Sequence, residues 1–280
     1  MKIITDNATL LSLLPNVVTT VEGENPLYDK VQAWLITAEQ WVSDRFTGTS
    51  VLDAIAAAPG TTIWQQTALL IMSEAMRQAI PSLDVVLTPN GFGIVSNQNV
   101  APASKERVER LIESMSAGRD LYADYLLESL VERQDWQQSA QRAWLCETLL
   151  QSPRDAELGV YGPEWTGNRW DAFLELRDRA RNIEAAIAEK WVSESLMGRL
   201  RLSLRSPGAP HDDVTLALRV RDCVFIELKG EPRNHRMLDR IVNYVRQQPE
   251  EYPEWAESET ARLFDPPVFR NKKDSKGYFF

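Results

Sequence analysis

The stretch Ala-Glu-Gln-Trp-Val-Ser-Asp at 38–44 recurs as Ala-Glu-Lys-Trp-Val-Ser-Glu at 188–194. Five of the seven positions are identical, and the last exchanges one carboxylate for another. Each copy closes a helical pattern, and each is followed by a glycine at the same distance, Gly48 and Gly198. Pro59-Gly60 and a Thr67-Ala-Leu-Leu run follow the first; Pro207-Gly208 and a Thr215-Leu-Ala-Leu run follow the second. A duplicated helical unit would organise the chain into two related halves. A chance match of this length, expected roughly once in such a chain, accounts for it equally well, because a repeat needs sustained self-similarity.

Helical periodicity dominates elsewhere. Asp6 or Asn7 caps a short helix that Pro15 ends. Asn25-Pro26 is a start signal for a helix in which Leu27, Val31, Trp34, Leu35, Ala38, Trp41, Val42 and Arg45 recur at three- and four-residue steps, ending near Gly48. A short helix at 51–58 precedes a long one that Pro81 ends. Residues 84–96 read as a β-hairpin, since Asn90-Gly91 separates two apolar runs and both residues tolerate positive φ. A long helix follows Ser104, interrupted at Gly118. Residues 151–168 hold two prolines and three glycines and suit a boundary between halves. Residues 169–205 are helical, and the alternating charges Glu175, Arg177, Asp178, Arg179 and Arg181 suit a solvated face. The expected fold is mainly α: an N-terminal helical half at 1–150, a C-terminal helical half at 169–248, and an extended aromatic tail at 249–280.

The net charge of −9 argues against non-specific nucleic-acid binding. Cys146 and Cys223, with no C-x-x-C pair, suit free thiols in a reducing compartment. No apolar run reaches the length of a membrane span, and no basic region precedes an apolar run at the start, so a cytoplasmic location is expected. Most of the nine tryptophans are expected in the core and some at a subunit interface.

Few residues suggest chemistry. Asp212-Asp213 followed by Glu227-x-Lys229 matches, in order, the carboxylates and lysine of a metal-dependent nuclease, if the segment is a strand hairpin. The same segment satisfies a helix with Val214, Leu218, Arg221, Phe225 and Leu228 on one face, and the spacing predicts a helix over 213–229. His211 and His235 are too few for a histidine metal site. Phosphate-loop, dinucleotide, nucleophile-elbow and zinc-protease motifs are absent. No catalytic residue, metal ligand or cofactor is expected.

Two stretches carry a resemblance: Leu87-Thr88-Pro89-Asn90-Gly91-Phe92-Gly93-Ile94-Val95 running into Ala101-Pro102-Ala103-Ser104, and Phe269 through Lys272-Lys273-Asp274-Ser275-Lys276-Gly277-Tyr278-Phe279-Phe280. Together they resemble an uncharacterised family of phage and prophage structural proteins similar to head–tail connectors, or adaptors. The resemblance implies a mostly helical, non-enzymatic protein that assembles as a ring around the portal opening and ends in the virion. Its partners would be copies of itself and structural proteins on the portal or tail side. Val86, Phe92 and Ile94 of the hairpin, and Tyr278, Phe279 and Phe280 of the tail, are the expected contact residues.

Overall fold

The computed structural model describes residues 1–14, 25–83, 85–88, 91–94, 104–162 and 169–265. The protein is mainly helical. It divides into two compact units, one of residues 1–178 and 205–208, the other of residues 179–204 and 209–280. The division falls inside a helix, between Asp178 and Arg179, rather than in 151–168. Composition marks loops well, but here the chain changes unit along a continuous rod.

The first unit comprises α1 (Asn7–Leu13), α2 (Leu27–Val42), a π-helical turn (Ser43–Thr47), α3 (Thr49–Ala56), α4 (Thr62–Leu83), β1 (Val85–Thr88), β2 (Gly91–Ile94), α5 (Lys105–Val131), α6 (Gln134–Gln137), α7 (Ala140–Leu145), α8 (Pro153–Ala156), a second π-helical turn (Glu157–Tyr161) and the start of α9 (Arg169–Ile187). Its centre is the pairing of α4 with α5 and α2. Gly118 lies where α4 and α5 approach: a Cβ there would sit 3.2 Å from Ser73 Oγ. Close packing of two helices thus offsets what a glycine costs within one. Helix α4 runs through Pro81 to Leu83, so the proline does not end it; so near the C-terminus its missing N–H costs one bond in the last turn. Strands β1 and β2 pair antiparallel, with Val85 opposite Ile94 and Leu87 opposite Phe92.

The second unit holds the rest of α9, a third π-helical turn (Ala188–Val192), α10 (Glu194–Ser203), α11 (His211–Leu228), α12 (His235–Arg246), α13 (Pro253–Ala256) and α14 (Glu259–Arg262). Residues 253–262, expected to be extended, form α13 and α14, and Tyr252 and Trp255 are buried. Burial of these two large aromatic side chains offsets part of what ordering the segment costs.

Each unit contains the same clasp. A long helix ends in a π-helical turn, and the chain then passes through a residue with positive φ before starting a short helix. That residue is Gly48 (φ 74°, ψ 165°) in the first unit and Ser193 (φ 71°, ψ 149°) in the second. The N–H of Gly48 donates to Ser43 O at 2.7 Å, and that of Ser193 to Ala188 O at 2.9 Å. A tryptophan from a later helix then holds the turn. Trp136 Nε1 of α6 donates to Phe46 O at 2.6 Å, and Trp255 Nε1 of α13 donates to Trp191 O at 2.7 Å. The next helix adds a second bond: Gln141 Nε2 of α7 donates to Asp44 O at 3.4 Å, and Thr260 Oγ1 of α14 donates to Glu189 O at 3.2 Å. Ser139 and Ser258 cap these two helices in the same way, accepting from Arg142 N and Ala261 N.

Burial follows the same correspondence. Phe46, Val51, Leu52 and Ile55 are buried, as are Trp191, Leu196, Met197 and Leu200 at the matching positions. Buried Glu39 matches buried Glu184. The first accepts from the backbone N–H groups of Lys2 and Ile3, and the second pairs with Arg201 Nε at 2.8 Å. The correspondence differs from the repeat read along the sequence. Trp41 lies in α2 whereas Trp191 lies in a π-helical turn, and Gly198 lies inside α10. The structure matches Gly48 with Ser193 instead. The two clasps correspond; the seven-residue identity is out of register with them.

Candidate functional site

The correspondence separates what the clasp needs from what it does not. Along α2 and its π-helical turn, Ile36, Thr37, Gln40, Trp41, Asp44 and Arg45 line an open groove of about 560 Å³. The stripe exists because the opposite side of α2 (Val31, Leu35, Ala38, Val42) is buried. Ile36 is 50% exposed. Trp41 is half-buried and stacks edge-on against Phe46 and Trp170, with ring centroids 5.2 Å away in both cases, so its indole is a fixed wall. Gln40 donates to Asp44 at 2.8 Å. The guanidinium of Arg45 lies 5.8 Å from the Trp144 ring centroid. The matching positions of the second unit are Arg181, Asn182, Ala185, Ala186, Glu189 and Lys190.

A second apolar face lies on α5. Leu121 and Tyr125, one turn apart, are 41% and 42% exposed. Leu158 and Tyr161 of the neighbouring π-helical turn are 60% and 40% exposed. These elements are held together by Arg154 N donating to Asp124, and by Arg169, whose N–H donates to Asp120 and whose guanidinium pairs with Glu157 at 3.1 Å. The buried positions Ala123, Leu126, Leu127 and Leu130 of α5 match Leu238, Ile241, Val242 and Val245 of α12. In that register Leu121 and Tyr125 match the exposed Arg236 and Arg240.

The buried charged groups are used inside the fold. Burial opposes ionisation of Glu74, but hydrogen bonds from Arg77 and Gln78 hold its carboxyl below the usual range. Arg119 pairs with Asp120 at 2.7 Å, yet burial pushes the Asp120 carboxyl up. Asp124 goes further: burial, with Asp155 also unfavourable, raises it to about 7. Arg177, expected on a solvated face, is buried. It donates to the carbonyls of Trp144, Leu145 and Leu150 at 2.6, 3.0 and 2.8 Å, and it stacks 4.3 Å from the Trp144 ring centroid. It ties together carbonyls at the end of α7 and in the segment after it, and charge alternation alone does not show which arginine turns inward. Both cysteines are free and buried, and burial raises Cys146 and pushes Cys223 up to about 12, so neither is a ready nucleophile.

The residues considered for a nuclease are not brought together. Asp213 stands in the first turn of α11 and Glu227 in the last, roughly 20 Å apart along the axis at the rise of an α-helix. Asp213 is paired with Arg199 through two bonds of 2.8 and 2.9 Å, and Glu227 with Arg233 through two of 2.6 and 2.9 Å. Lys229 follows the helix as its C-cap. Among the described residues no group of three His, Cys, Asp or Glu could hold a metal ion. His211 opens α11, and His235 packs edge-on against Trp191.

Tyr278, Phe279 and Phe280 lie outside the described residues. Val86 and Phe92 and Ile94 stand in the β1–β2 ladder, but their side-chain surroundings also lie outside what is described. The surfaces found here were legible only in part. The pair Asp135-Trp136…Ser139 and Glu254-Trp255…Ser258 was the sequence signal for the duplicated clasp.

Residues 16–144 match the model of a family described as a family of unknown function, DUF6712. The match covers α2 and ends within α7, so it includes the clasp of the first unit and leaves the second unit outside. No curated protein and no solved structure matches the chain. Among the described residues no helix is long and apolar enough to cross a membrane.

Proposed function

We propose that the protein is a non-enzymatic assembly protein of the phage head–tail connector type, acting through contacts with copies of itself and with structural proteins on the portal or tail side. The observation that carries this reading is the exposure of large apolar side chains on two faces of the first unit, one on α2 and one on α5. Ile36, Leu121 and Tyr125 are exposed there at positions where the second unit places Arg181, Arg236 and Arg240. A fold that needed these side chains for its own core would bury them in both units. Leu121 and Tyr125, with Leu158 and Tyr161 of the neighbouring turn, form one exposed apolar face, the usual material of protein interfaces. The order of elements that resembles connectors gives the class of partner, and the virion follows as the place of action.

The test is made in a phage that encodes this chain. Removing it should leave filled heads and free tails that fail to join, with particles restored when the chain is supplied from a plasmid. The same restoration should fail with Tyr125→Arg. Normal, infectious particles without the chain would overturn the connector reading.

A further inference from the structure

We propose that the α2 groove seats the aromatic triplet Tyr278, Phe279 and Phe280 of a neighbouring copy; this rests on the assembly reading and names one of its contacts. The groove offers Ile36 and the fixed Trp41 indole as apolar walls, with Thr37 and Gln40 between them. At about 560 Å³ it has room for aromatic side chains and falls within the range of ordinary binding clefts. Its stripe begins beside the exposed Asp29 and ends at the exposed pair Asp44 and Arg45, both of which line it.

The triplet has matching chemistry. It follows Lys272, Lys273 and Lys276 in a chain whose net charge is −9. Fifteen residues, 266–280, follow the last described residue, a length that spans up to about 50 Å when extended. An aromatic segment fits a groove with an aromatic wall through stacking, and the lysines before it pair with Asp29, at the end of the stripe away from Arg45. A direct α2-to-α2 pairing fits less well. Antiparallel, it sets Arg45 of one copy against Ile36 of the other; parallel, it sets like charges together.

The experiment is sedimentation equilibrium on the full chain over a wide concentration range, comparing wild type with Ile36→Arg, Phe279→Ser and the double variant. Ile36→Arg copies the residue of the second unit and lies on an exposed site, so melting should be unchanged. The wild type is expected to self-associate. Each single variant should weaken association at least tenfold, and the double variant should be no weaker than the worse single. A synthetic peptide of residues 271–280 should dissociate the wild-type assembly and should not bind Ile36→Arg. Association of either variant at wild-type strength would overturn the tail-in-groove contact while leaving the assembly reading to the particle experiment. A wild type that stays monomeric throughout, with peptide or without, would overturn it too.

Discussion

The two units solve one problem with different residues. Each must end a long helix, reverse the chain and begin a short helix, and each leaves carbonyl groups of the π-helical turn to be satisfied. Each answers with a tryptophan N–H and a second donor one helix further on. At the reversal the first unit uses Gly48 and the second Ser193, although the backbone region is one that almost only glycine occupies without strain. Ser193 has a compensation that glycine lacks: its Oγ accepts from Leu196 N and donates to Glu254 O. The lesson is that the clasp is set by hydrogen-bond geometry, which several side chains meet. The surfaces around it are not so constrained. At Ile36, Leu121 and Tyr125 the first unit keeps apolar groups where the second keeps arginines, while the second exposes Leu202, Leu218 and Leu263.

The sharpest way to break the comparison is to remove both tryptophans in turn. Trp136→Ala and Trp255→Ala should each destabilise the protein by about 3–5 kcal/mol, measured by urea unfolding. A small effect of one would mean that its clasp is ornamental and the correspondence only a likeness of shape. Trp→Phe at each site isolates the indole bond and should cost about 1–3 kcal/mol, the penalty of leaving a buried carbonyl unpaired.

Asp124 tests the surroundings. It matches Asp239 of α12, which is exposed, whereas α8 covers Asp124. With its folded pKa raised to about 7, the folded state holds a proton that the unfolded chain releases near the ordinary carboxylate value. Stability should therefore fall as pH rises from about 4 to 7 and change little from this source above that, by at most about 4 kcal/mol. Asp124→Asn should remove that part of the pH dependence and be more stable than wild type at pH 8. Asp239→Asn should change stability by less than about 0.5 kcal/mol. Equal pH profiles of Asp124→Asn and wild type would show that α8 does not desolvate the site.

Gly48 and Ser193 give a smaller contrast. Gly48→Ala places a Cβ 2.8 Å from Gln141 Oε1 at a positive φ, and should cost about 1–3 kcal/mol. Ser193→Ala should cost about 1–2 kcal/mol, because it keeps the strain and loses both Oγ bonds. Ser193→Gly should lie between Ser193→Ala and wild type, since relief of strain offsets part of that loss. If Ser193→Gly were the worst of the three, strain would not be what distinguishes the two reversals.

The smallest expected effect concerns Thr47. Its buried hydroxyl has no hydrogen-bond partner among the described residues, and its match in the second unit is Val192. Thr47→Val should be neutral or stabilising by up to about 1 kcal/mol in thermal unfolding, because an unpaired hydroxyl is exchanged for a methyl of the same shape. A loss of stability would place a bound water at that hydroxyl.

Periodicity along the chain was enough for the mainly helical character, for α2 as a helix and for the helix at 213–229, because these depend on residues three and four apart on one rod. It was also enough to suggest two related halves. It was not enough to separate the buried Val31, Leu35, Ala38 and Val42 from Trp41 and Arg45, which line the groove. Register was decided elsewhere. The identity of 38–44 with 188–194 matched Gly48 to Gly198, but the fold matches Gly48 to Ser193, since what must coincide is a positive φ and a carbonyl within reach of a distant indole. Those bonds join residues far apart in sequence, Phe46 with Trp136 and Trp191 with Trp255, and no local pattern encodes them. For the same reason the tertiary structure alone decided that Arg177 turns inward and that Ile36, Leu121 and Tyr125 remain outside. The sequence determines which faces are apolar; packing determines which of those faces find a partner within the chain.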